Sequence, residues 1–345
     1  MRLKHILTLS LCLLLFGAKA QVMVRITDGA PNAMLQSKME RNLADMLDEL
    51  NAAYDSDSEP NYSQMHMSPE AQQTISLLWN NSHILCIEDA IVQNCLTKKS
   101  GGATRYQIRN IPLLLTSGGA DGYNSEDEKR EAVVTFDGTG KIVDFNLTIN
   151  QNQYADIFKK NLGVKDHERR ELIVSWTERF MTAYNEFNID FIKQMFSEDA
   201  LIITGRVVKP TTERRGDVKF RSDAKIVYDV KNKKQYISDL SNLFDRYRGK
   251  SYKGKPLYHI DFDEVKVMRH PNPEYSDYYG VTLKQRCKAG NYSDVGYLFL
   301  LWDFTDPDRP MIHVRTWQPD QFNGAPLPED QRIDISTFDG LVPNL

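Results

Sequence analysis

Three stretches of the chain carry residue types that can do chemistry. In "YHIDFDEVKVM" (258–268), His259, Asp261 and Asp263 alternate, so on a strand they share one face. A histidine beside carboxylates can serve as a general base if an acid stands opposite and an apolar wall tunes the pKa. The same alternation, with Ile260 and Phe262 between, is also the solvent face of a half-buried strand. In the second stretch, Tyr184 lies on a helix and Asp190 follows it after a polar turn. In the third, "MIHVRTW" (311–317), strand alternation puts Met311, His313, Arg315 and Trp317 on one face. Arginine can clamp a carboxylate or phosphate, and tryptophan can stack on a flat apolar group. Tyr184, Asp190, His313, Arg315 and Trp317 are therefore the candidate ligand-binding residues. No residue is assigned a catalytic role, and no metal or cofactor is expected. The chain has no G-x-S-x-G, H-E-x-x-H or C-x-x-C motif. Its glycine loops "SGGATR" and "TSGGADGYN" do not open a helix after a strand in the phosphate-binding manner.

The elements that must position these residues are written twice. "FDGTGKIVDFNLTINQNQY" (136–154) and "FTDPDRPMIHVRTWQPDQF" (304–322) align without a gap at an offset of 168 residues. Both run from an aromatic through a polar turn and an alternating strand to a polar stop and a second aromatic. Matched positions are Phe136 and Phe304, Lys141 and Arg309, Thr148 and Thr316, Gln153 and Gln321, Tyr154 and Phe322. The apolar face Val143, Phe145, Leu147, Ile149 of the first copy becomes Met311, His313, Arg315, Trp317 in the second. Burying those polar groups without partners is costly. The second copy is therefore expected to form a polar pocket or to meet a partner there. A slipped register would instead turn Ile312, Val314 and Thr316 inward.

Each copy starts with a helix. Leu35, Met39, Leu43, Met46, Leu47, Leu50 and Tyr54 form one stripe, and Leu172, Trp176, Phe180, Ala183, Tyr184 and Phe187 form another. Ser68-Pro69-Glu70 caps a short helix ending near Trp79, and Asn188-Ile189-Asp190 begins one ending near Phe196. Strands rich in β-branched and aromatic residues follow in both copies, separated by Gly, Pro, Asn and Asp. Helices first and an antiparallel meander after is an α+β order. A basic insert, 206–230, separates a strand from the helix "KKQYISDLSNLFDRY" and carries Arg206, Lys209, Arg214, Arg215, Lys219, Arg221 and Lys225. It reads as a solvated hairpin or loop, or as a partner-binding flap.

The N-terminus supplies an address. "MRLKHILTLSLCLLLFGAKA" has a basic start, an apolar run too short to span a bilayer, and an A-x-A signal, so cleavage is expected after Ala20. The protein is expected in the periplasm or outside a Gram-negative cell, with no transmembrane span. Removing Arg2, Lys4 and Lys19 takes the formal charge from −4 to −7, which argues against broad nucleic-acid binding. With 41% apolar and 10% aromatic residues the chain is globular rather than disordered. Cys86, Cys95 and Cys287 remain after cleavage. An odd count excludes a complete disulfide framework, leaving Cys86 and Cys95 bridged or as buried thiols. Asn146-Leu147-Thr148 and Asn291-Tyr292-Ser293 fit the glycosylation pattern.

"ELIVSWTERFMTAYNEFNIDFIKQMFSEDALIITG" (171–205) and the closing "GYLFLLWDFTDPDRPMIHVRTWQP" resemble the NTF2-like (SnoaL-like, ketosteroid-isomerase-like) cone fold. The resemblance implies α+β architecture with two tandem cones, each with N-terminal helices packed on a curved antiparallel sheet. The spans are 1–20 leader, 21–29 extension, 30–157 first domain, 158–165 linker, 166–323 second domain and 324–345 tail. It also implies a ligand site at the open end of a cone. Cones of this family usually pair through their sheets, so an intramolecular pseudo-dimer, monomeric in solution, is expected. Fold does not fix function. The expected role is an exported, non-catalytic protein binding a small ligand or a protein partner in the cell envelope. The alternatives are an isomerase or dehydratase using the second cone, and a structural component of an envelope assembly.

Overall fold

The computed structural model describes residues 21–100, 102–116, 129–159, 162–208, 212–215, 218–221, 224–252, 255–339 and 342–343. The leader (1–20), Lys209 and most of "TSGGADGYN" lie outside the described residues.

The first half opens with strand β1 (Met23–Ile26) and helix α1 (Ala33–Ser56). Asn32 caps α1, and the whole Leu35–Tyr54 stripe is buried. Helix α2 (Pro69–Trp79) has Ser68 as N-cap, its oxygen accepting the Ala71 N–H. The β-branched stretch 83–100 is divided into β2 (His83–Cys86), β3 (Ala90–Gln93) and β4 (Cys95–Ser100). The acidic turn at Glu88-Asp89 and Asn94 interrupt it; β3 pairs in parallel with β1, and β4 with the next strand. Strands β5 (Ala103–Thr116), β6 (Lys129–Phe136) and β7 (Ile142–Leu147) complete a five-stranded sheet in the order β2-β5-β6-β7, with β4 also on β5. A helix, α3 (Gln151–Phe158), follows where a polar stop was expected; Asn150 caps it by accepting the Gln153 N–H.

Helices α4 (Val164–Asn185) and α5 (Ile189–Met195) open the second half. Its strands are β8 (Phe196–Val208), β9 (Thr212–Arg215), β10 (Val218–Arg221) and β11 (Lys225–Lys231). Helix α6 (Lys233–Tyr247) follows behind a capping box at Asn232 and Gln235. After the short pair β12 (Ser251–Tyr252) and β13 (Lys255–Pro256) come β14 (Tyr258–Arg269), β15 (Tyr278–Ala289), β16 (Tyr292–Asp303) and β17 (Met311–Pro319). The six-stranded sheet has the order β11-β8-β17-β16-β15-β14 and is antiparallel except between β8 and β17. The basic insert is a hairpin in one register, from Ile202 opposite Lys231 to Arg215 opposite Val218. It is only partly an appendage, because β11 is the sheet's edge strand.

α4 is buried on nearly every side, so it shows little of the amphipathic pattern of a surface helix. It lies against β7 at the edge of the first sheet and β14 at the edge of the second. Its polar side chains occupy backbone groups on both edges. Leu147 N–H donates to Thr182 Oγ1 at 2.9 Å; Asn185 Nδ2 donates to Ile260 O at 2.9 Å, and Ile260 N–H donates to Asn185 Oδ1 at 3.1 Å. Arg109 of β5 grips both oxygens of the buried Glu178. An exposed strand edge invites foreign pairing, and α4 closes two.

The halves therefore join through α3 and α4 rather than face to face through their sheets. The outer face of the second sheet is already occupied. Ile335 and Phe338 of the tail pack on Phe299, Leu301 and Val314, with Phe338 stacked on Phe299 at 4.9 Å. Cys86, Cys95 and Cys287 are free thiols. Among the described residues no helix is long and apolar enough to cross a membrane.

Candidate functional site

The matched closing hairpins have the same register. Ala132 opposes Leu147, and Leu300 opposes Arg315, each member displaced by 168 positions. Residues directly opposite point to the same side of a sheet, so Arg315 and Trp317 face inward with Leu300 and Leu298. Each hairpin contains a one-residue bulge, but in different places. In the first copy it skips Val143, leaving Phe145 in the core. In the second it skips His313, the counterpart of Phe145. The bulge flips the alternation at that point: Ile312 joins Arg315 and Trp317 inside, while Val314 turns outward under the tail. His313 leaves the expected row and stands between Asp199 (3.6 Å) and Asp303 (3.4 Å). Asp190 is exposed in the first turn of α5. Of the five candidates, the structure brings together Tyr184, Arg315 and Trp317 and does not bring Asp190 or His313 to them.

Arg315 is 5% exposed, and its Nε and Nη1 have no hydrogen-bond partner. Among the described residues no carboxylate pairs with it. Its guanidinium lies over the Tyr236 ring at 5.3 Å, close enough to Tyr184 for both phenols to favour its charged form. Burial pulls its pKa down, but Tyr236, Tyr184 and Cys287 more than offset this, and the group stays charged. Tyr184 and Tyr236, from α4 and α6, are hydrogen-bonded through their hydroxyls. Burial, and then the Tyr236 hydroxyl, holds the Tyr184 phenol well above its ordinary range. Burial pushes the Cys287 thiol up to about 12, so it is protonated at neutral pH. Gln285, buried on the same side of β15, has an unpartnered Oε1.

Trp317 is 3% exposed, and its Nε1–H donates to Asp294 Oδ2 at 3.0 Å. Its indole lies across Gly205 of β8 and Gly296 of β16, where a Cβ on either glycine would run into the ring. The two glycines let a wide side chain lie flat on the sheet. Burial lifts the Asp294 carboxyl to about 6, against the lowering effect of the Trp317 hydrogen bond. Tyr236, Gln285, Cys287 and Asp294 were not singled out from the sequence. Their signal is pairwise register, Cys287 opposite Asp294 and Gln285 opposite Gly296, which cannot be read before the strands are aligned.

The alternating His259, Asp261 and Asp263 lie on the half-exposed side of β14. Asp263 pairs with Arg286 at 3.0 Å and accepts from Gln153, and Asp261 is near Arg130 and Arg286. This is the solvent-facing alternative, with the stripe used in ion pairs. Asn146 is buried on β7 and cannot carry a sugar in this fold.

No family model matches the chain, and no curated protein matches it. Among solved structures, a putative ketosteroid isomerase from Shewanella frigidimarina aligns at 13% identity over 42% of this chain and 92% of its own, with a TM-score of 0.26. A Bdellovibrio bacteriovorus protein aligns at 12% identity over 66% and 92%, with a TM-score of 0.31. An NTF2-like protein involved in plasmid conjugation aligns at 10% identity over 81% and 96%, with a TM-score of 0.18. In element order the chain runs helices first and then a bulged, mainly antiparallel sheet in each half.

Proposed function

We propose that this is an exported binding protein of the cell envelope, built from two cone units at 30–157 and 166–323, that holds a small ligand inside the second sheet. The observation that carries this reading is Arg315, a buried charge with two unused donors. An unsatisfied buried donor costs stability, so two on one side chain, with no carboxylate beside them, favour a use for the charge. The first unit has Leu147 at the matched position among buried apolar residues, so its role is structural. Tyr184, Tyr236 and Trp317 supply walls that are apolar with polar tips, as ligand sites require.

The test is native mass spectrometry of protein purified gently from its own compartment, beside Arg315→Gln. A bound small molecule lost in the variant supports the reading. Wild-type protein that carries nothing, and whose melting is moved by no member of a metabolite library, overturns it. An isomerase or dehydratase using the same residues is favoured by one observation, the Asp294 carboxyl held near 6 beside Trp317. A general base works best with a pKa near the working pH. Chemical conversion of the captured ligand, abolished by Asp294→Asn, would identify the protein as an enzyme.

A further inference from the structure

Among the described residues β10 pairs only with β9 and β11 only with β8, so their other side is a free edge of the second half. Val218 opposite Arg215 and Lys225 opposite Val208 belong to one register, so β10 and β11 keep one alternation. One row holds Val218, Phe220, Ile226, Tyr228 and Val230; the other holds Lys219, Arg221, Lys225, Val227, Asp229 and Lys231. An apolar row of this kind belongs under a cover, yet Tyr228 is 47% exposed and Val230 67%. Beside them a groove of about 740 Å³ is lined by four consecutive residues, Tyr228 to Lys231, and by Lys234 and Ser238 of α6. Consecutive residues face opposite sides of a strand, so the groove runs along the edge and not over one face. A free edge has backbone donors and acceptors to spend and takes up a further strand.

We infer that this strand is the same edge of a second copy, antiparallel and centred on Ala224, so that β11 of each protomer pairs with β10 of the other. Val230 then opposes the partner's Val218, Tyr228 the partner's Phe220 and Asp229 the partner's Lys219, each twice by symmetry. The end of the partner's β10 enters the groove beside α6. Moving the axis one residue towards β11 sets Lys231 against Lys219 and Lys225 against itself; moving it one residue towards β10 sets Lys225 against Arg221. Like charges directly opposite destabilise a sheet. An axis at Val227 pairs Lys225 with Asp229 but takes β10 out of the ladder. In the sequence, Asp217 and Asp223, outside the described residues, continue the complement towards Lys231 and Lys225. Lysines alone guard an edge against other strands; Asp229 turns this one towards its own copy. Two cones pairing within one chain would leave a monomer, whereas this edge makes a dimer, and nothing in the pairing depends on a ligand near Arg315.

The test is sedimentation velocity of the chain from Gln21 onward at pH 7.5, from about 1 to 100 μM, on the wild type, Lys219→Asp, Asp229→Lys and the double variant. The wild type is expected to dimerise within this range. Each single reversal sets like charges opposite each other and should weaken the dimer about tenfold or more. The double reversal restores the pairing and should recover the affinity to within about threefold, with circular dichroism unchanged throughout. Oxidative cross-linking reads the register without a charge change, against the wild type as blank. Ala224→Cys, opposite itself across the axis, should give a disulfide-linked dimer; Val227→Cys, about 20 Å from its copy, should not. A wild type still monomeric at the highest concentration would leave the edge to another protein and overturn the inference. A dimer indifferent to both single reversals, one that the double reversal does not recover, or one cross-linked through Val227→Cys and not through Ala224→Cys would overturn it equally.

Discussion

Replacing Arg315 by methionine should make the ligand-free protein more stable. Two guanidinium donors are unsatisfied in the interior, and each such donor costs about 1–3 kcal/mol. Against that stand the contact with the Tyr236 ring and the attraction of the two phenols for the charge, together about 1–2 kcal/mol. Methionine has similar length, keeps most of the packing and removes the desolvated charge. Exchanging buried ionic groups for apolar ones of similar volume is commonly neutral or stabilising by about 1–4 kcal/mol. The net expectation is a gain of about 1–2 kcal/mol, or about 1.5–3 °C in melting temperature for a chain of this length unfolding as one unit. The assay is calorimetry at pH 7.5 on protein stripped of small molecules by partial unfolding and refolding, with Arg315→Lys as control. Lysine keeps a buried charge, loses the flat contact with the Tyr236 ring and should melt below the wild type. If Arg315→Met melts lower by more than about 2 °C, the guanidinium is structural, and the reason for placing a ligand beside it is gone.

Gly296→Ala should cost about 1–3 kcal/mol, because its Cβ meets both the Trp317 ring and the Gln318 carbonyl; thermal melting with a shift in tryptophan emission checks it. Asp294 should titrate near pH 6, seen as a fluorescence change that Asp294→Asn removes, since its oxygen holds the Trp317 N–H. Burial raises the Glu186 carboxyl above its ordinary range, with Arg179 opposing. The folded state therefore holds that proton more tightly than the unfolded chain, and stability is lost as pH rises through and above about 4.3. The melting difference between Glu186→Gln and wild type should grow from pH 4 to pH 7, and a flat difference contradicts this. Asn185→Ala should cost about 2–4 kcal/mol, as two bonds to the Ile260 backbone vanish in a buried place; chemical denaturation measures it.

What the sequence shows of this fold is its periodicity. The Leu35–Tyr54 stripe and the Ser68 cap correspond to α1 and α2, and "KKQYISDLSNLFDRY" to α6, because spacing and capping are local. The matched register of the two closing hairpins was also legible, since it depends on a gapless alignment. The position of His313 was not. A bulge shifts everything beyond it by one residue, and which residue it skips depends on packing against β8 and the tail, not on the strand's own composition. α4 was legible as a helix but not as a doubly buried one: its Glu178, Thr182 and Asn185 look like a solvent face until Arg109, Leu147 and Ile260 are brought to them. Tyr236 was invisible as a site residue because only the fold sets α6 beside Tyr184.

The placement of α4 makes the unit of folding larger than the unit of repetition. The helix belongs by sequence to the second copy, yet its Thr182 and Glu178 complete the first sheet. A chain cut at 158–165 would separate a first half that lacks its partner helix from a second half whose helix shows an apolar and polar flank to water. Neither fragment should behave as a domain, although each spans one full copy of the pattern. The intact protein should unfold in one cooperative transition instead of two.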